Sequence, residues 1–121
     1  MARIVIIEDD EALRPMLAKT IARFGHEVFA EQDGRAGLQR VKEIMPDLVI
    51  TDMVMPEKEG VETILELRRD FPAIKIIAMS GGGRINSADY LDLARKFGVS
   101  ATLAKPFSRD ELRLVLDKVL A

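Results

Sequence analysis

A doubly wound α/β fold, one parallel sheet of five strands covered by helices on both faces, is predicted by three features of the 121-residue chain. Short, continuously apolar runs alternate with longer segments in which apolar residues recur every three or four positions. The runs are apolar on both faces, as strands buried from both sides must be. The alternation repeats five times at about 24 residues per unit, close to the ~30 residues of a strand-helix-strand unit.

The first strand is Ile4-Val5-Ile6-Ile7, and Leu13, Leu17, Ile21 and Phe24 follow at helical spacing. Gly25 lies just past the last apolar turn, where a helix stops. Val28-Phe29-Ala30 is a weaker second strand, followed by the helical positions Leu38, Val41 and Met45. Pro46 marks re-entry into the third strand, Leu48-Val49-Ile50, and Val61, Ile64, Leu65 and Leu67 pattern the third helix. Pro72 precedes the fourth strand, Ile74 to Met79, whose helix carries Leu91, Ala94 and Phe97 and ends at Gly98. Ala101 to Ala104 is the fifth strand, and Leu112, Val115, Leu116 and Val119 face the core from the last helix. Five such units are expected in the order 2-1-3-4-5, the flavodoxin-like arrangement. Ligands of that fold bind beyond the carboxyl ends of the strands, between strands 1 and 3.

Composition narrows the chemistry. Hydrophobic residues make up 48% and charged residues 31%, enough for a core and a solvated surface in one domain over residues 1–121. Eighteen basic against 20 acidic residues, with no long block of either sign, argue against autonomous binding of nucleic acid or of an anionic membrane. The absence of Cys excludes thiol catalysis and thiolate metal sites, and the lone His26 excludes any site needing two imidazoles. His26 reads as structural, and the methionines Met45, Met53, Met55 and Met79 read as core filling. No apolar run approaches the ~20 residues that span a bilayer, and the early acid of MARIVIIEDD does not suit a signal peptide. A cytoplasmic domain is expected.

The informative residues are those that end the apolar runs, because the fold gathers them on one rim. Strand 1 runs into Glu8-Asp9-Asp10, strand 3 into Thr51-Asp52, strand 4 into Ser80 and strand 5 into Lys105. Steps of 43, 28 and 25 residues from Asp9 to Asp52 to Ser80 to Lys105 correspond to one or two strand-helix units each. Two carboxylates 4 Å apart repel by about 1 kcal/mol in water and about 4 at an effective dielectric of 20, so such a cluster calls for cations. Lys105 brings one charge, and an all-oxygen donor set suits Mg²⁺ before Ca²⁺. The run Gly81-Gly82-Gly83 is not followed by Gly-Lys-Ser/Thr, which argues against a nucleotide cradle.

The segments IIEDD at 6–10, DLVITDMVMPEKEG at 47–60, AMSGG at 78–82 and AKPF at 104–107, taken together and in order, resemble the signature set of response-regulator receiver domains of two-component signalling. The resemblance implies that Asp52 accepts a phosphoryl group from the phosphohistidine of a sensor kinase or a phosphotransfer protein. It implies that Asp9, Asp52 and the Met53 backbone carbonyl ligate Mg²⁺, with Glu8 acting through a bound water. Ser80 would hydrogen-bond the phosphoryl oxygen and Lys105 would pair with it. Asp10 reads as a helix cap.

The resemblance also implies a cis Lys105-Pro106 bond and donor docking over Leu13, Met16, Pro106 and Phe107. Thr102 departs from the family, which usually places an aromatic switch residue there. The output is therefore expected to pass through Ser80 and the turn from Gly81 to Ile85, with Thr102 only filling space. The fourth and fifth helices with strand 5 would form the face that binds a downstream protein. An aspartyl-phosphate phosphatase of the haloacid dehalogenase type would need a second acid where Val54 stands. The natural Met1 and the lack of a linker after the last helix suggest a stand-alone regulator, the receiver half of a longer transcription factor being the alternative.

Overall fold

The computed structural model describes residues 1–53, 59–81, 92 and 95–121. Its elements are β1 (Arg3–Ile7), α1 (Leu13–Arg23), β2 (Glu27–Glu31), α2 (Gly34–Ile44), β3 (Leu48–Asp52), α3 (Glu59–Asp70), β4 (Lys75–Gly81), β5 (Ala101–Lys105) and α4 (Arg109–Leu120), the fifth helical segment of the sequence. All strand pairs are parallel and the order is β2-β1-β3-β4-β5, as expected. Of the fourth helical segment, Leu91 and Ala94 lie outside the described residues, as do Met55 and most of the turn from Gly81 to Ile85.

Side chains of a strand alternate between faces, and the two halves of the core follow that alternation. Ile4, Ile6, Leu48, Ile50, Ile77, Met79 and Leu103 pack with Leu17 and Ile21 of α1 and Leu112, Leu116 and Val119 of α4. Val5, Ile7, Val49, Ile76 and Ala78 face the other way, against Val41 of α2, Ile64 and Leu67 of α3 and the half-buried Phe97. Each fully buried Ile or Leu contributes about 1.5–3 kcal/mol through removal from water. α2 lies close against β1 because Gly37 has no side chain; a Cβ there would overlap Ile7.

Local chemistry sets the boundaries. Asp33 caps α2 by accepting from the Ala36 N–H at 2.8 Å, and Ser108 with Glu111 forms a reciprocal capping box on α4. Gly25 and Gly98 take positive φ of 99° and 81° after their helices, as a glycine stop requires. His26 is structural, its Nδ1 accepting the Ala2 N–H at 3.1 Å.

Three expectations are corrected. Met45 is not core: it caps α2 in the left-handed region at φ 45° and is exposed, because Pro46 disfavours a further right-handed residue before it. Leu65 also faces solvent, since the buried stripe of α3 runs through Ile64 and Leu67. Ile74, expected to open the fourth strand, precedes β4, which extends past Met79 through Ser80 and Gly81. None of the described helices is long and apolar enough to cross a membrane.

Candidate metal and phosphoacceptor site

Strand register sets the rim. Ile7 pairs with Thr51, which puts Glu8 level with Asp52, and Gly81 pairs with Lys105. By alternation Glu8 follows Ile4 and Ile6, Asp52 follows Leu48 and Ile50, and Lys105 follows Leu103, so all three emerge on the α1–α4 face. There the Lys105 Nζ donates to Glu8 Oε1 at 2.6 Å and to Asp52 Oδ2 at 2.8 Å. Glu8 is 0% and Asp52 4% exposed. The Lys105-Pro106 bond is cis, as expected.

Ser80 reaches the same edge on the opposite face, following Ile76 and Ala78. It is buried, and its Oγ has no hydrogen-bond partner among the described residues. A hydroxyl in that position is the kind of group that a ligand oxygen satisfies. The Thr102 Oγ1 accepts from Arg95 Nη2 at 3.3 Å, while Arg95 Nη1 pairs with Asp92 at 2.8 Å.

The β1–α1 turn carries the remaining acids. Asp10 Oδ1 accepts from the Ala12 and Leu13 N–H groups at 2.8 and 3.0 Å, and these bonds, Leu13's first, hold its carboxyl below the usual range. Asp10 thus closes the turn that enters α1 and is not its cap residue, a position Ala12 holds without a side-chain cap, and Asp9 is left facing the rim. Glu8, Asp9 and Asp52 each bring a carboxylate oxygen to within 4.8 Å of the others. Among the described residues one ammonium meets three carboxylates there, a donor set of oxygens that suits a hard divalent cation. Met53 begins the next turn with its N–H bonded to Met79 O at 2.8 Å. Its carbonyl faces Gly60 of α3, where an added Cβ would overlap it and the Asp52 carbonyl.

Burial raises the Glu8 pKa from 4.5 to about 7, against the opposing hydrogen bonds from Lys105 and the Asp10 N–H. Burial also works against the Lys105 charge, but the hydrogen bonds to Asp52 and Glu8 outweigh it and its pKa rises. The raised Glu8 value fixes the sign of one pH effect. In its window the folded state binds more protons than the unfolded state, so this contribution to stability is complete below about pH 4.5 and lost as the pH rises through about 7. The loss amounts to about 3 kcal/mol at most. Urea unfolding in EDTA should therefore give lower stability at pH 8 than at pH 5.5. Mg²⁺, by favouring the ionised carboxylate, should reverse the slope, and Glu8→Gln should abolish it; a metal-free protein that gains stability over this interval contradicts the assignment.

A groove of about 590 Å³ opens beside Lys105, lined by Asp10, Ala12, Leu13, Met16, Lys105, Pro106 and Phe107. It gathers all four residues expected to meet a donor. Another groove of about 650 Å³, with His26, Asp47 and Lys75 in its lining, sits at the opposite edge, away from the carboxylates.

A parallel sheet ending in three carboxylates and a lysine defines a Mg²⁺-dependent phosphoacceptor module. The chain belongs to the response regulator receiver domain family, whose model matches residues 4–117. It is 35% identical over 118 residues to the chemotaxis protein CheY of Thermotoga maritima, covering 97% of this chain and 96% of that one. It is 31% identical to the regulatory protein AtoC of Escherichia coli, spanning 98% of this chain but only 25% of AtoC. The crystal structure of a response regulator receiver domain protein from Clostridium thermocellum superposes with a TM-score of 0.90 at 27% identity, covering 99% of this chain and 94% of that one. The chain thus holds a receiver domain, a module that is phosphorylated and dephosphorylated on an aspartate of its own.

Two residues that sequence reading left without a role contribute to this site. Gly60 lies in the quoted motif and allows α3 to approach the Met53 carbonyl. Arg14 looks like a solvent-facing helix residue but donates from Nη1 to the Glu8 carbonyl at 2.9 Å.

Proposed function

We propose that Asp52 is the phosphoacceptor of a phosphorelay step whose donor is the phosphohistidine of a sensor kinase or a histidine phosphotransfer protein. The observation that carries this reading is the Lys105 ammonium held between the buried Glu8 and Asp52 carboxylates. An Asp52 carboxylate oxygen forms the new bond to phosphorus as the bond to the donor's imidazole nitrogen breaks, and the electron pair returns to the ring. Lys105 favours the ionised nucleophile and afterwards pairs with a phosphoryl oxygen. The buried Ser80 hydroxyl, free of other hydrogen bonds among the described residues, supports its role as a second phosphoryl contact.

Asp9, Asp52 and the Met53 carbonyl would hold Mg²⁺, with Glu8 acting through a water. The bound ion supplies positive charge for the equatorial oxygens, where the demand of phosphoryl transfer is greatest. The groove over Leu13, Met16, Pro106 and Phe107 supports donor docking beside Lys105.

We read residues 1–121 as one receiver domain of a stand-alone cytoplasmic regulator that signals through a protein partner and does not itself bind nucleic acid. The near-complete coverage of CheY supports this form; the quarter-length match to AtoC supports the receiver half of a transcription factor as the alternative. The switching device falls on Ser80 and on the turn after it, which lies largely outside the described residues.

Chelation tests the metal-dependent reading. Acetyl phosphate should form an adduct in Mg²⁺ and none in excess EDTA, and Asp9→Ala should raise the Mg²⁺ requirement. Equal adduct in EDTA would refute it.

A further inference from the structure

Glu8 is held at four points. Its N–H donates to the Glu31 carbonyl at 3.1 Å, its Oε1 accepts from Lys105 at 2.6 Å, its Oε2 accepts from the Asp10 N–H at 3.1 Å, and its carbonyl accepts from Arg14 Nη1 at 2.9 Å. The last bond differs in kind. β1 ends at Ile7, so the Glu8 carbonyl lies past the strand, and a side chain in the first turn of α1 supplies its donor. The peptide so anchored leads directly to Asp9. Asp9 is exposed, and its carboxylate has no hydrogen bond among the described residues, so its direction is inherited from the backbone on either side. Asp10 fixes the far side by accepting from the Ala12 and Leu13 N–H groups. Arg14 fixes the near side.

We propose that Arg14 is a positioning residue for the metal site: its guanidinium, by holding the Glu8 carbonyl, aims Asp9 at the cluster it forms with Glu8 and Asp52. The inference rests on reading that cluster as the Mg²⁺ site. Electrostatics alone gives the opposite expectation. Removing a cation from beside an acidic cluster strengthens the binding of a divalent cation, because one repulsive charge is gone. Loss of an outer hydrogen bond that orients a ligand weakens metal binding, typically by 10–100-fold. The direction of the change therefore separates positioning from charge.

The test is calorimetric titration of Mg²⁺ into the metal-free full chain for wild type, Arg14→Met and Arg14→Lys, with thermal unfolding to verify the fold. Arg14→Met, which removes both charge and donor, should weaken Mg²⁺ by about tenfold. Arg14→Lys keeps the charge but offers one ammonium in place of a planar fork, so it should lose about threefold, between the other two. In adduct formation from acetyl phosphate, the Mg²⁺ concentration for half-maximal rate should rise by the same factors, while the rate at saturating Mg²⁺ stays that of wild type.

Unchanged or tighter Mg²⁺ binding by Arg14→Met would overturn the proposal. Should that variant be unfolded at the assay temperature, the decision passes to Arg14→Lys, whose charge matches wild type; unchanged affinity there would overturn it. A wild-type protein that takes up no Mg²⁺ would instead refute the site reading on which the inference rests.

Discussion

Replacing Lys105 by Met should destabilise the metal-free protein by about 3 kcal/mol at pH 8, tighten Mg²⁺ binding, and slow phosphorylation by a hundredfold or more. The three effects share one geometry: a single ammonium at 2.6 and 2.8 Å from two buried carboxylates. Without it Glu8 and Asp52 lose the ammonium that bridges them, and removing one partner of a buried pair typically costs about 3–5 kcal/mol. The loss should shrink as the pH falls below 7, because Glu8 can then take up a proton. Mg²⁺ gains because two like charges 4 Å apart repel by about 4 kcal/mol at an effective dielectric of 20, and that repulsion disappears. The phosphoryl oxygens, in contrast, lose a preorganised donor, a loss that typically costs 10²–10³ in rate. Denaturant unfolding, calorimetry and adduct formation at saturating Mg²⁺ read the three quantities separately. A lysine with only a structural role would leave the last at the wild-type value.

Gly60→Ala should be nearly as damaging, although Gly60 carries no chemistry. An added Cβ would overlap the carbonyl oxygens of Asp52 and Met53 and stand 2.7 Å from the Met53 carbonyl carbon. These are backbone atoms at the end of a central strand and cannot yield as a side chain could. Either α3 retreats or the Met53 peptide turns, and overpacking of this kind typically costs about 1–3 kcal/mol. If the peptide turns, its carbonyl leaves the Mg²⁺ site. The expected outcome is a folded protein with lower thermal stability and Mg²⁺ affinity reduced by about tenfold or more. Full metal affinity in a destabilised Gly60→Ala would remove the Met53 carbonyl from the proposed ligand set.

The sheet order and the rim were legible because this fold writes them into short-range patterns. Four of the five strands, β1, β3, β4 and β5, carry apolar runs that lead into Glu8, Asp52, Ser80 and Lys105, and parallel strands joined by helices must place those ends together. Which face each residue occupies was also written there. Leu48, Ile50 and Asp52 share a parity, as do Ile76, Ala78 and Ser80, but only the register shows that the first parity carries Lys105 and the second does not.

Met45 was misread because its apolar side chain fits the helical stripe, while the following Pro46 turns the chain out of the helix. Arg14 had no signal, since its partner is a backbone carbonyl and any residue at position 8 would offer one. Gly60 had a weak signal, a glycine in the first turn of a helix, where close approach is a more common reason than flexibility.

The central claim, that Asp52 takes the phosphoryl group, is tested most directly by intact-mass measurement after incubation with acetyl phosphate and Mg²⁺, followed by peptide mapping. The expected result is one phosphoryl adduct, mapped to Asp52, lost on adding hydroxylamine as an acyl phosphate must be, and absent in Asp52→Ala. An adduct that persists in Asp52→Ala, or that maps to Asp9 or Glu8, would contradict the account.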